Sequence, residues 1–133
     1  MIIADTDFLC SFLKIGRLEL IFKVLETKEI VIAEAVFQEV QQAPVYSKLF
    51  DALQSKEQKI IVSKIEVLAS NDFGRGEIES IALAEKFQGL LLMNDRKAAK
   101  YAESRGITVM DIPIFLLHCK MSNYLSKVEL TQI

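Results

Sequence analysis

The sequence has no tryptophan, one histidine, two cysteines, two prolines and five glycines among 133 residues. So little glycine and proline excludes collagen-like repeats and flexible linkers, and 51% hydrophobic against 26% charged residues excludes a disordered chain. Cys10 and Cys119 stand at opposite ends of the chain and neither belongs to a Cys-x-x-Cys pair. They read as reduced core residues of a cytosolic protein rather than as a disulfide. One histidine cannot build an imidazole-based zinc site; His118, following Phe115-Leu116-Leu117, reads as a helix-packing residue. Charge of one sign is also lacking: 16 Lys+Arg against 18 Asp+Glu leave −2, so nucleic-acid binding would have to rest on a local patch. No apolar run nears the ~20 residues of a membrane span; Leu90-Leu91-Leu92-Met93 is typical of the longest. Met1-Ile2-Ile3-Ala4-Asp5 has no basic region of the kind that opens a signal peptide, so a cytoplasmic protein without a membrane is expected. Also missing are a Gly-x-x-x-x-Gly-Lys-[Ser/Thr] phosphate loop, a Gly-x-Gly-x-x-Gly fingerprint and a serine–histidine pairing.

What is present suits one domain over residues 1–133, long enough to bury roughly two thirds of its unfolded surface. Met1 to Ala4 is a short apolar run stopped by Asp5-Thr6-Asp7. Phe8, Leu9, Phe12 and Leu13 then recur at helical spacing until Gly16, and Leu18, Ile21, Phe22 and Leu25 resume the pattern. Ile30 to Ala33 is β-branched and predicts a strand; residues 35–40 predict a helix that ends before Pro44. A helix is predicted over 46–57, while residues 59–67 fit a strand or an extended loop. Asn71 to Gly76 is a turn feeding a helix from Glu77 to Phe87. Leu90 to Met93 has the continuous apolar character of a parallel strand covered on both faces. A basic helix from Arg96 to Ser104, a strand over 107–110 and a helical stretch over 112–130, interrupted near Ser122-Asn123, complete the pattern. Strands alternating with helices predict a parallel sheet wrapped on both sides, whose ligands bind beyond the carboxyl ends of the strands.

Acids stand where such a site would be. Asp5 ends the first strand and Asp95 follows the Leu90–Met93 strand; each also suits a helix N-cap, with Asp7 the better-placed cap of the first helix. Glu77 and Glu79 open the Glu77–Phe87 helix, where the dipole favours acids. Helical periodicity puts Glu77 with Ser80, Ile81 and Ala84 on the packed side and turns Glu79 toward solvent. Glu39 shares a helix face with Ala35 and Val36, and Glu34 competes with it as a helix-start acid. Arg96 and Lys97 occupy a first turn, where the dipole disfavours positive charge and a bound phosphate or acidic site would compensate. Clustered carboxylates need a cation, and all-oxygen sites suit Mg²⁺ or Mn²⁺, which activate water and steady a phosphodiester under attack.

These segments resemble the PIN domains, small metal-dependent ribonucleases that include the VapC-type toxins of prokaryotic toxin–antitoxin pairs. Ile3 to Leu9 resembles the opening strand motif, and Ile32 to Val40 the segment carrying the second acid, which falls on Glu39. Gly74 to Ala84 resembles the helix with the third acid, Glu77, and Leu90 to Ala98 the strand end with the fourth, Asp95. The closest likeness is to an uncharacterised subgroup with a Gly-x-Gly-Glu helix start. Asp7, Met93, Asn94 and Glu77 depart from commoner residues at their positions, which bears on catalytic competence rather than on fold.

The resemblance implies a three-layer α/β/α sandwich and a ribonuclease hydrolysing single-stranded RNA with Mg²⁺ or Mn²⁺. Asp5, Glu39, Glu77 and Asp95 would be its catalytic acids. Asp5, Glu77 and Asp95 would bind the metal, Asp7 would be an additional acid, and Arg75, Arg96 and Lys97 would contact phosphates. An antitoxin and a homodimeric partner follow from the toxin likeness. Two other readings stay open: a catalytically inactive module that binds RNA or protein, and an aspartate-based phosphatase mimicked by Asp5-Thr6-Asp7. The phosphatase lacks its Gly-Asp pair and has Leu9 where a Thr or Val would stand.

Overall fold

The computed structural model describes residues 1–55 and 57–124. In chain order the strands are β1 (Ile2–Ala4), β2 (Glu29–Ala33), β3 (Lys59–Ser63), β4 (Leu90–Leu92) and β5 (Val109–Met110). The helices are α1 (Thr6–Lys14), α2 (Glu19–Val24), α3 (Glu34–Gln41), α4 (Tyr46–Leu53), α5 (Arg75–Phe87), α6 (Arg96–Ser104) and α7 (Ile112–Met121). All pairings are parallel, in the order β3-β2-β1-β4-β5. From β1 the chain steps outward to β2 and β3, returns through α5 to β4 on the other side of β1, and continues to β5. The strand order therefore reverses between β1 and β4, the crevice where parallel α/β sheets bind ligands.

Each central strand is apolar on both faces, so both need helical cover. Ile3, Ala4, Ile30, Ile32, Ala33, Leu91 and Leu92 are all fully buried, which is the α/β/α sandwich expected from the pattern. The outer strand β3 differs: only Ile60 is buried, and Ile61 and Val62 reach solvent. The ambiguous stretch at 59–67 thus divides into a strand to Ser63 and an irregular remainder. Gly89 lets β4 close against β1, because a Cβ there would stand 2.5 Å from Ile3 Cδ1 and 2.8 Å from the Met1 carbonyl. Phe8 and Phe12 of α1 meet Phe115 of α7 edge-on at 5.6 and 5.1 Å, locking the start of the chain to α7.

Several boundaries move. The helix expected over 46–57 stops at Leu53, and the strand expected over 107–110 pairs only at Val109 and Met110. The helix starting at 112 ends at Met121, with Asn123 at φ 61°; residues 125–130 lie outside the described residues. Cys119 is buried and Cys10 partly so, both as free thiols. His118 corrects an expectation: it is exposed, because α7 buries the Phe115–Cys119 stripe and His118 falls off it.

Candidate active site

Asp5 sits at the switch between β1 and β4. Its N–H donates to the Leu92 carbonyl at 2.9 Å, carrying the β1–β4 ladder one residue past the strand. It also occupies the N-cap position of α1, displacing Asp7, which is exposed in the first turn and does not cap the helix as its position suggested. The Asp5 carboxylate makes no side-chain capping hydrogen bond to α1. It is only 3% exposed, and the Ser80 hydroxyl of α5 stands 3.5 Å from its Oδ1. Burial pushes the Asp5 carboxyl up to about 7; the charges of Glu77, Asp7 and Glu39 act in the same direction, and only the Thr6 N–H opposes them. Glu77, Asp7 and Glu39 are thus within electrostatic reach of Asp5 at the carboxyl edge of the sheet.

Glu39 reaches this edge from α3. Gly76 makes room for it: a Cβ at position 76 would overlap Glu39 Oε1 and stand 3.4 Å from Thr6 Oγ1. That Thr6 hydroxyl oxygen is buried with no hydrogen-bond partner, an orphan acceptor and donor facing the same spot. Nothing in the sequence marked Thr6 except its place behind a strand-end aspartate.

Glu77 stays at the edge of the packed side, as helical periodicity predicts, whereas Glu79 departs from its predicted place. Glu77 accepts the Gly74 N–H at 3.0 Å and closes the N-terminus of α5. Glu79, expected in solvent, is 5% exposed: it accepts the Ala35 N–H at 3.1 Å and pairs with Arg75 at 2.7 Å. The reason is tertiary. The sheet and α3 both pack on α5, so its buried face is wider than one helical stripe, and Glu79 satisfies a buried amide in the first turn of α3 that has no partner within the helix. Arg75, expected on phosphate, holds Glu79 while its side chain stays 59% exposed.

Asp95 is an N-cap: its carboxylate accepts the Ala98 N–H at 2.9 Å. Asn94 accepts the Ile112 N–H, tying the end of β4 to α7. Arg96 reaches toward Asp111 at 4.0 Å, and Lys97 lies over the Phe73 ring at 5.6 Å.

A family model described as the PIN domain matches residues 1–131. The chain belongs to the PIN domain family. PIN domains are generally nucleases and typically use divalent metal ions. Among solved structures, this PIN domain is similar to a PilT N-terminus domain protein from the hyperthermophilic archaeon Sulfolobus solfataricus P2, at 16% identity and TM-score 0.60, covering 88% of this chain and 92% of that one. It is also similar to a domain of a functionally unknown protein from Methanocaldococcus jannaschii DSM 2661, at 19% identity and TM-score 0.53, covering 84% and 89%. These likenesses are of fold. No curated protein matches the sequence.

The donor set fits a hard divalent cation: it is all oxygen, anionic, and includes a carboxyl lifted first by burial and further by its neighbours' charge. Among the described residues, no three His, Cys, Asp or Glu side chains form a ready-made ion site; Glu77 and Asp95 each turn one oxygen onto a backbone N–H. A carboxylate so engaged still has its second oxygen to offer. No described helix is long and apolar enough to cross a membrane.

Proposed function

We propose that this PIN domain is a divalent-cation-dependent ribonuclease acting on single-stranded RNA. The observation that carries the reading is Asp5: buried at the switch point of a parallel sheet, with no side-chain capping hydrogen bond to α1, and surrounded by Glu39, Glu77 and Asp7. A carboxyl in that setting is expensive without a counter-charge, and nuclease chemistry supplies one. Asp5, Glu77 and Asp95 are the residues that would hold Mg²⁺ or Mn²⁺. The bound cation would activate a water and neutralise charge at the phosphodiester. Glu39, anchored in α3 with its carboxylate against Gly76, would accept a hydrogen bond from the attacking water. Ser80 holds the Asp5 oxygen from the side of α5. Arg75, Arg96 and Lys97 would contact phosphates, and each such contact would steepen the salt dependence of RNA binding.

The setting we infer is the cytoplasm, with this protein the toxin of a toxin–antitoxin pair, working as a homodimer restrained by an antitoxin segment over the acidic edge. Expression that arrests growth with the wild-type chain and not with Asp5→Asn supports that setting; indifference to both removes it.

The deciding experiment incubates purified protein with a mixed single-stranded RNA pool in EDTA, Mg²⁺ or Mn²⁺, beside Asp5→Asn. Cleavage that requires the metal and disappears in the variant is expected. A second reading, an inactive RNA- or protein-binding module, is favoured by the capping bonds of Glu77 and Asp95; absence of cleavage under every metal selects it.

A further inference from the structure

Beside the acids, on the side of α6, lies an arrangement that phosphodiester hydrolysis alone does not require. Phe73 precedes the N-cap of α5 and stacks on Tyr101 of α6, centroids 5.1 Å apart and planes at 26°. Lys97, one turn before Tyr101 on α6, lies over the same Phe73 ring. Both rings are only partly buried. A recess of about 280 Å³ continues from Tyr101, walled by Val67, Leu68, Ile78, Ala82 and the Glu85–Arg105 ion pair, with Leu68 91% exposed at its margin and Arg105 over the Tyr101 ring at 6.0 Å. The exposed side chains of α6 add Arg96 and Lys100 to Lys97. This side of the site is cationic and aromatic, whereas the α3 side presents Glu34 and Glu39.

We propose that Phe73 and Tyr101 form a base-stacking subsite for single-stranded RNA, with Lys97 on the adjacent phosphate. The choice of ligand rests on the ribonuclease reading. Unpaired bases stack on aromatic side chains in a sequence-tolerant way, and cations flanking the rings track the backbone. Phe73 is covalently next to the helix start that carries Glu77, and Lys97 is in the helix that Asp95 caps. A base held there sets its phosphate beside the acids. Phe73 also suits a hydrophobic staple against the first turn of α5, a packing role that leucine can fill without a π-face.

The test separates these. In EDTA, fluorescence anisotropy compares a labelled single-stranded RNA with an abasic ribose-phosphate strand of equal length. The wild-type protein is expected to prefer the strand with bases. Phe73→Leu and Tyr101→Leu should weaken that binding by about 5- to 100-fold and leave the abasic strand unaffected. Lys97→Ala should weaken both strands and lower the salt slope by about one. Phe73→Tyr and Tyr101→Phe should keep the wild-type preference. Photocrosslinking from 5-iodouridine to Phe73 or Tyr101 in the wild-type protein locates the base without any substitution. Equal affinity for the two strands, unchanged base preference in the leucine variants, or crosslinks only elsewhere overturns the subsite. Metal-dependent cleavage alongside those failures leaves the ribonuclease standing; base-dependent binding with no cleavage in Mg²⁺ or Mn²⁺ removes the ribonuclease and leaves the subsite.

Discussion

Gly76 on α5 and Glu39 on α3 are in such close approach that a Cβ at position 76 would overlap the Glu39 carboxylate. The atom in the way is the far end of a flexible side chain, so Gly76→Ala displaces the acid rather than the backbone. The helix gains about 0.5–1 kcal/mol of propensity from losing a glycine. RNA cleavage by Gly76→Ala is therefore expected to fall at least ~10-fold, the rate equivalent of about 1.4 kcal/mol, while thermal stability stays level or rises. Loss of stability together with unchanged cleavage would place Glu39 outside the reaction.

Asp5→Asn keeps the volume and an acceptor for Ser80 while deleting a buried charge. In EDTA at pH 8 its melting temperature should exceed the wild-type value by about 3–8 °C, as a relief of ~1–2 kcal/mol gives in a domain of this size. Adding Mg²⁺ or Mn²⁺ should stabilise the wild-type protein, by about 2.7 kcal/mol at a hundred times the dissociation constant, and leave Asp5→Asn unmoved. Differential scanning calorimetry with and without metal reads both effects. A wild-type melting curve indifferent to either ion counts against the proposed metal ligands.

Glu79 has a structural task. Glu79→Ala strands the Ala35 N–H and Arg75, a loss of about 1–3 kcal/mol in a urea titration. Glu79→Gln keeps the acceptor for Ala35 and should recover much of that stability. Equal losses from both would shift the weight of the interaction to the Arg75 charge.

Asp95 carries two candidate duties that substitution can separate. Asp95→Ala removes the N-cap of α6 and should cost about 1 kcal/mol. Asp95→Asn caps as well as aspartate but is a poorer metal ligand, so stability should hold while metal-dependent cleavage drops. Full cleavage by Asp95→Asn would confine Asp95 to capping.

Much of the fold was legible because its signals are local. The unbroken apolar run at Leu90–Met93 reads as a strand with both faces covered, and Phe8, Leu9, Phe12 and Leu13 mark one helix face; β4 and α1 appear where those patterns put them. Ser80 shares the inward face with Glu77, as the spacing predicts, and reaches Asp5. Glu79 and His118 were misread for the same reason in opposite directions. Periodicity assumes one buried stripe per helix, but α5 is packed on two sides and α7 on a narrow one.

The chain's own residues determined which segments become strands and helices, and which acids stand at strand ends and helix starts. Hydrophobic spacing and capping chemistry act over a few neighbouring residues and need no partner to be read. Which strand lies beside which, that Asp5 rather than Asp7 begins α1, that Glu79 bridges to α3, and that Thr6, Glu39 and Gly76 share one tight corner were decided only in the tertiary structure. Those outcomes depend on contacts between residues tens of positions apart, where burial and charge are set by what the sheet order brings together.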